Sequence, residues 1–106
     1  MVKAIKAAKL ADQIRDYVAA WIVSDLQGTF CSITQVTLSP DLRQATLWVS
    51  FLYPDQAPKG MRQLASLLPT YRHRLSQQMQ RKILPTLTAK IDNSAELNQQ
   101  FDELLK

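Results

Sequence analysis

The chain has 106 residues, of which 46% are apolar, and it carries a formal net charge of +4. This is the length of one domain, and the apolar fraction is sufficient for a hydrophobic core that needs no disulfide or metal ion. Intrinsic disorder is therefore excluded as the main state. The single cysteine, Cys31, can form neither an internal disulfide nor a cysteine-rich zinc site. No apolar run approaches the roughly 18 residues of a membrane span and no leader pattern opens the chain, so we expect a soluble, cytoplasmic protein.

The first predicted element is an amphipathic helix. Apolar residues recur at steps of three to five over residues 10–26, at Leu10, Ile14, Tyr17 or Val18, Trp21 and Leu26. This spacing places them on one helical face, which we expect to pack, Trp21 included, into the core. The helix ends at Gln27 and Gly28, because glycine adopts the left-handed conformation that often closes a helix.

A β-hairpin is predicted next. Residues 30–38 alternate, with one side formed by Phe30, Ser32, Thr34, Val36 and Leu38 and the other by Cys31, Ile33, Gln35 and Thr37. Residues 44–52 are rich in β-branched and aromatic side chains and form the second strand. Between the strands, Ser39, Pro40 and Asp41 supply turn chemistry, since proline presets φ and the two polar side chains bond nearby backbone N–H groups.

Residues 61–79 return to helical spacing but contain Pro69. A proline inside a helix removes one backbone hydrogen bond and disfavours helical geometry at the preceding residue. The sequence therefore predicts two helices that meet near Leu68, or a single helix bent there. In either case we expect a bend.

The end of the chain adds a strand and a helix. Residues 86–91 alternate as a third strand, and a last helix over residues 93–106 is capped by Asn93 or Ser94. The order αββααβα predicts an α+β fold in one domain over residues 1–106, with a three-stranded sheet packed on helices.

Positive charge is concentrated in one segment. Residues 1–55 carry as many acidic as basic side chains, and residues 92–106 have a net charge of −3. Residues 56–91 contain seven lysines and arginines and no carboxylate. A polyanion such as RNA would relieve the repulsion among these cations and release its own counterions. The alternative is a solvated basic surface that keeps a small protein soluble.

A helical wheel gives this segment a polar, basic side. Opposite the apolar stripe lie Thr70, His73, Arg74, Gln77, Gln80 and Arg81, with Arg72 and Lys82 at the two boundaries. Arginines and glutamines can bond phosphates, riboses and base edges, so this side is a candidate clamp for an RNA backbone. Trp48, in the second strand, is either a half-buried strand residue or an exposed platform on which a base could stack.

Catalysis has little support in the sequence. His73 is the only histidine, and neither it nor Cys31 stands at a spacing that pairs a nucleophile with a base or supplies three metal ligands. Two glycines cannot make a glycine-rich phosphate loop. Asp12 and Asp16 lie four residues apart on the first helix, where a solvated face is the simpler interpretation. From the residues we expect no enzymatic activity and no metal site.

Three features together resemble the ribosome-binding factor A family. The hairpin reads Val36-Thr-Leu-Ser-Pro-Asp-Leu-Arg-Gln-Ala-Thr-Leu-Trp-Val-Ser50, similar to the family's V-x-x-S-P-D-L-x-x-A-x-V-x-V-S. The order αββααβ and the later Arg81-Lys-Ile-Leu-Pro-Thr-Leu, followed by Asp92 and Ser94, are similar as well. The resemblance covers nearly the whole chain, and the hairpin motif is its most specific part.

The resemblance implies a KH-type, type II-like RNA-binding domain without catalysis or cofactor. It implies a factor that binds the small ribosomal subunit and its ribosomal RNA during late maturation and helps cells grow in the cold. We expect a monomer with no membrane partner, and a ribosome-associated GTPase is a further candidate partner. The family has Ala-x-Gly at the bend, where this chain has Leu67-Leu68-Pro69. Because a proline ring blocks the close phosphate approach that glycine permits, we expect the flanking arginines to carry more of the binding.

The leading hypothesis is a maturation factor that binds ribosomal RNA on the free small subunit by charge and shape. The main predicted contacts are Arg62, Arg72, Arg74, Arg81 and Lys82. A flexible basic arm at residues 1–8 and its continuation add Lys3, Lys6 and Lys9, and the remaining predicted RNA-binding residues are Arg43, Lys59 and His73. The alternative is a protein-interaction module of the same fold, which docks a partner through the sheet and the acidic tail while RNA contact is incidental.

Overall fold

The computed structural model describes residues 2–79, 81 and 83–93, with side chains from residue 7 onward. The helices are α1 (Val2–Asp25) and α2 (Ala57–Met79), and the strands are β1 (Cys31–Leu38), β2 (Gln44–Phe51) and β3 (Thr86–Ile91). A short 3-10 helix, Pro54–Gln56, precedes α2. The helix predicted over residues 93–106 lies outside the described residues after Asn93. No helix in the described part is both long and apolar enough to cross a membrane.

α1 is longer than predicted and buries a slightly different stripe. It begins at Val2, so the segment predicted as a basic arm, residues 1–8, coincides with its first turns. Its buried residues follow four-residue steps, at Leu10, Ile14, Val18, Ile22 and Leu26. The four-residue steps place Ile22 in the core instead of Trp21, which is only partly buried and packs beside the core. Gly28 follows with a φ of 86°, the left-handed conformation predicted for it.

The strands form one mixed sheet in the order β1-β2-β3. β1 and β2 are antiparallel, as the hairpin requires, and β3 is parallel to β2. Ala45, Leu47 and Val49 of β2 are buried in one cluster with side chains of α1 and α2, so both helices pack on the same face of the sheet. The opposite face carries Thr46, Trp48 and Ser50. We call it the open face, because neither described helix packs on it.

β1 contains a bulge that the sequence did not predict. The register with β2 shifts between Ile33 and Gln35, which leaves Thr34 as an extra residue. Before the bulge the inward-facing side chain is Ile33, and after it the inward-facing side chains are Val36 and Leu38. The simple alternation predicted for residues 30–38 is therefore wrong beyond Ile33. The Thr34 hydroxyl bonds to Asp92, which follows β3, and lies 3.2 Å from the Trp48 carbonyl oxygen.

The hairpin turn is held by the side chains that the sequence singled out. Ser39 Oγ donates to Asp41 Oδ1 over 2.6 Å and accepts from the Gln44 N–H at 3.0 Å. Asp41 Oδ1 also accepts from the Arg43 N–H at 3.1 Å. The bond from Ser39 first, and then that from Arg43, lower the pKa of the Asp41 carboxyl. Leu42 has a φ of 60°, uncommon for a residue with a Cβ, and the surrounding bonds hold it there.

α2 is one continuous helix with Pro69 inside it. The prediction of two central helices meeting near Leu68 is therefore wrong, and α2 is a single helix through Pro69, as the alternative expected. The bend expected at that point stays a prediction. The proline removes the N–H that the Ala65 carbonyl would accept. Buried residues on both sides of the proline hold the helix against the core, at Leu64, Leu68, Tyr71 and Leu75. This packing outweighs the local break that the sequence favours.

Candidate nucleic-acid interface

The side of α2 that faces away from the core is polar and cationic. Opposite the buried stripe lie the exposed side chains of Lys59, Arg62, Ser66, His73 and Gln77, over about 27 Å of helix. We call these five residues the outer side of α2. The helix contains no carboxylate, and within the described part of the chain neither Lys59 nor Arg62 is in an ion pair. These two cations, about one turn apart, therefore face solvent without an ion-pair partner, and the carboxylate nearest to them in the sequence is Asp55, four residues before Lys59.

A groove of about 560 Å³ lies between α2 and the start of β3. One wall is formed by Ala65, Leu68, Pro69, Arg72, His73 and Ser76, and the other by Leu84, Thr86 and Leu87. A largely apolar cleft with a few fixed polar groups is typical of a binding site. His73 belongs both to the groove and to the outer side of α2, so the two surfaces are continuous.

Arg72 lines the groove, and part of its guanidinium is already hydrogen-bonded within the protein. Its Nε donates to the Pro85 carbonyl over 3.2 Å, and its Nη2 donates to the Leu84 carbonyl over 3.0 Å. These bonds tie α2 to the residues that lead into β3. A guanidinium has five N–H donors, so three remain for a ligand. Arg72 is thus an oriented wall residue rather than a freely moving surface cation.

Arg74 does not lie on the outer side of α2, so its predicted position opposite the apolar stripe is wrong. Its Nη1 is 3.4 Å from Asp25 Oδ2, and its guanidinium lies over the rings of Trp21 and Tyr71, 5.6 and 5.7 Å from their centres. The Tyr71 hydroxyl donates to the same carboxylate oxygen over 2.8 Å. Burial, and then Asp25, raise the pKa of Tyr71 far above its usual value. Arg74 therefore joins α2 to α1.

The backbone of Arg43 lies beside Thr86, although Arg43 is not among the residues that line the groove. It is exposed immediately before β2, and its carbonyl accepts the Thr86 N–H over 2.9 Å, so it adjoins the β3 wall. Ser76 and Thr86 of the groove were not predicted as site residues. Ser76 stands one helical turn after Arg72, a spacing that could have indicated it, whereas Thr86 requires knowledge of which strand lies beside α2.

The other predicted contacts lie elsewhere. Lys3, Lys6 and Lys9 belong to α1, where Lys9 is exposed. Arg81 is exposed beyond the end of α2, and Lys82 lies outside the described residues.

Trp48 is half-buried on the open face, as one of the two interpretations of the sequence expected. Its Nε1 donates to Thr37 Oγ1 over 3.0 Å, which uses the polar edge of the indole within the sheet. This bond fixes the orientation of the ring on the open face, and a base-stacking role stays a prediction.

A mixed three-stranded sheet covered on one face by two helices, with a groove lined by Arg72 beside β3, defines a small α+β domain consistent with the KH type. The family model described as Ribosome-binding factor A matches residues 6–105. The chain belongs to the ribosome-binding factor A family, which confirms the resemblance in the hairpin motif.

Individual relatives agree with this assignment. Ribosome-binding factor A of Geobacter sulfurreducens is 32% identical over 105 residues, which are 95% of this chain and 89% of the relative. The crystal structure of ribosome-binding factor A from Thermus thermophilus is similar with a TM-score of 0.71 at 18% identity, over 83% of this chain and 97% of that one. A homology model of the Thermus thermophilus factor, fitted into a cryo-electron microscopy map of its 30S complex, has a TM-score of 0.66 at 21% identity, over 82% and 96%.

Proposed function

We propose that this protein is an assembly factor of the small ribosomal subunit that binds ribosomal RNA on the free subunit, without catalysis. The observation that carries the proposal is the carboxylate-free α2, on which the uncompensated Lys59 and Arg62 lead along one side to His73 and the groove. Membership of the ribosome-binding factor A family supports it, as does the 30S complex in which a Thermus relative has been placed.

The outer side of α2 suits a phosphate backbone. Lys59 and Arg62 displace condensed counterions when they approach phosphates, so binding weakens as salt rises. The Gln77 amide can donate to phosphates and riboses without adding charge. A surface of this kind recognises charge and shape rather than base sequence.

The groove adds orientation to this contact. The three remaining donors of Arg72 are fixed in direction by the bonds to Leu84 and Pro85, and the exposed Thr86 stands on the opposite wall. A ribose-phosphate unit between the walls can therefore bond to both. Pro69 has no N–H and its ring fills part of one wall, so a phosphate here binds the arginine and not the helix backbone.

The wider setting of the proposal follows the family. We infer a cytoplasmic monomer that takes part in late maturation of ribosomal RNA, beside a ribosome-associated GTPase, and whose loss is felt most in the cold. Each of these points is independent of the RNA contact, so any of them can be wrong while the RNA contact is right.

Sedimentation of the purified protein with small subunits, large subunits and mature ribosomes, at two salt concentrations, tests the proposal. We expect it to pellet with free small subunits, less so at the higher salt, and not with large subunits. Equal pelleting with large and small subunits would contradict the proposal, because it would show general adhesion of a basic protein.

A further inference from the structure

Three exposed apolar side chains cluster at one end of the sheet. Phe30, Leu52 and Tyr53 are 59%, 67% and 49% exposed, and the rings of Phe30 and Tyr53 meet edge to face with centres 5.9 Å apart. We call these three residues the end patch. Side chains of this size leave on the order of 100 Å² each to solvent. Contiguous apolar surface of that extent on a small protein is commonly an interaction site.

The end patch lies on the open face of the sheet. The Leu52 N–H donates to the Phe30 carbonyl over 2.8 Å, so these residues extend the ladder by one pair beyond Cys31 and Phe51. Phe51 packs beside Gly60 of α2, where any side chain would collide with its ring. Because successive side chains of a strand point to opposite faces, Phe30 and Leu52 point away from the helices.

The backbone beneath the end patch is fixed by one glutamine. Gln56 Oε1 accepts from the Phe30 N–H, and its Nε2 donates to the Gly28 carbonyl, both over 3.1 Å. The Gln56 N–H donates to the Tyr53 carbonyl over 3.0 Å. The segment before β1 is thus clamped to the turn after β2. Folding gains nothing from leaving these apolar groups exposed, whereas a partner would bind them with little ordering cost.

The charges near the end patch are unsuited to RNA. Residues 16–42 and 44–58 contain no lysine or arginine, and the exposed Asp55 is two residues from Tyr53. The cations of α2 belong to the helical layer, where Lys59 is the nearest to Asp55 in the sequence. The exposed Lys90 lies on the open face beside Trp48, which is four residues before Leu52, or about 13 Å along the strand. A phosphate chain would meet a carboxylate here, whereas a basic protein surface would find an opposite charge beside apolar contact area.

We propose that the end patch is a second docking surface, which receives an apolar side chain from a basic protein segment of the small subunit. The inference rests on the proposed function for its setting. In this arrangement, RNA binds the outer side of α2 and the groove, and a protein binds the open face.

The competing occupant is this chain's own residues 94–106. Because Ile91 pairs with Val49, β3 ends at the same end of the sheet as β2, so these residues follow from nearby. They contain apolar side chains, but their charge is acidic, from Glu96, Asp102 and Glu103 against Lys106. Asp55 would repel such a segment and attract a basic one.

The substitution Leu52→Gln in the full chain separates the two occupants. If the end patch is open until a partner binds, the melting temperature stays within about 1 °C, and binding to purified small subunits weakens about tenfold with an unchanged salt slope. A fall of several degrees would mean that the chain itself covers the patch, and would overturn the inference. Val23→Gln is the matched control, since Val23 is 74% exposed on α1, in the layer on the other face of the sheet, and it should change neither quantity.

The chemical class of the partner is tested by photo-crosslinking. A benzophenone side chain introduced by Tyr53→p-benzoylphenylalanine should give, on purified small subunits, a product that resists ribonuclease and is lost on protease treatment. A crosslink to ribosomal RNA, or none, would overturn the inference. Failure of the wild-type protein to pellet with small subunits would contradict the proposed function itself, whereas normal pelleting of the Leu52→Gln protein would contradict the end patch alone.

Discussion

Arg72 and Arg74 are two residues apart in the sequence, yet they lie on opposite flanks of α2 and have different partners. Arg72 bonds the carbonyls that lead into β3, and Arg74 pairs with Asp25 at the end of α1. A helical wheel gives the direction of a side chain but not what stands beside it. The cations of α2 that remain open to a ligand are thus Lys59 and Arg62 in its first half, together with the three remaining donors of Arg72.

The position of Arg74 predicts a structural effect for Arg74→Gln. The substitution removes a partly exposed ion pair and the contact with two aromatic rings, together worth about 1 kcal/mol. The melting temperature should therefore fall by about 4–8 °C in calorimetry. Arg15→Gln, which loses only exposed partners on α1, should change it much less. Equal stability of the two variants would show that the Arg74 contacts contribute nothing to folding.

Asp41 makes the hairpin turn sensitive to acid. Its pKa is lowered in the folded protein, chiefly by the bond from Ser39 and then by that from Arg43. The contribution of the carboxylate is therefore fully present above the unfolded pKa of about 3.9 and is lost as pH falls through the lower, folded value.

Thermal unfolding between pH 7 and pH 2.5 checks this predicted loss of stability in acid. The wild-type protein should lose stability relative to Asp41→Asn in the acid range, because asparagine keeps an acceptor oxygen but does not titrate. Parallel loss of stability in the two proteins at every pH would contradict the assignment.

At the scale of elements, α2 changes the expected effect of removing its proline. With two helices, Pro69→Ala would merge them and pull Leu64 or Leu75 from the core, lowering stability. In a helix that is already continuous, alanine restores the missing N–H, and proline in a helix interior costs up to about 3 kcal/mol. We expect the melting temperature to rise by several degrees in calorimetry. A fall would indicate that the proline shapes the packing of the helix.

The helices and strands themselves were largely predictable because their apolar residues recur at regular helical or alternating spacing. The third strand lies at the predicted residues 86–91, and the turn side chains of Ser39 and Asp41 act as expected. The bulge at Thr34 could not be predicted, since one extra residue in a strand has no local signal and its partner Asp92 is distant in sequence. The continuity of α2 likewise depends on tertiary packing rather than on local propensity.

The candidate site was predictable to a similar degree. Charge counting selected Lys59 and Arg62, the helical wheel selected His73, and all three lie on the outer side of α2. The groove was not predictable, because it forms only when β3 lies parallel to β2 with its first residues beside α2. Which arginines are already engaged also depends on such long-range contacts.

On the scale of the whole molecule, two surfaces of different chemistry lie on opposite faces of one thin sheet. The helical layer carries Lys59, Arg62 and the groove, and the open face carries the end patch, close to Asp55 in the sequence, and farther along the sheet Lys90. A factor with this arrangement can contact RNA and protein at the same time. The two contacts are distinguishable, since only phosphate binding depends steeply on salt.

The most direct test of the RNA surface is the salt dependence of small-subunit binding by Lys59→Gln/Arg62→Gln. If Lys59, Arg62 and Arg72 neutralise about three phosphates, the log affinity of the wild type should fall with log salt with a slope of about −2 to −3, and the double variant should bind less tightly with a slope shallower by about two. Its melting temperature should be unchanged, because both side chains are exposed and outside any ion pair among the described residues. Arg15→Gln/Lys106→Gln removes the same charge elsewhere and should keep the wild-type slope. An unchanged slope in the Lys59/Arg62 variant, or an equal loss of affinity in the control, would contradict a positioned RNA surface on α2.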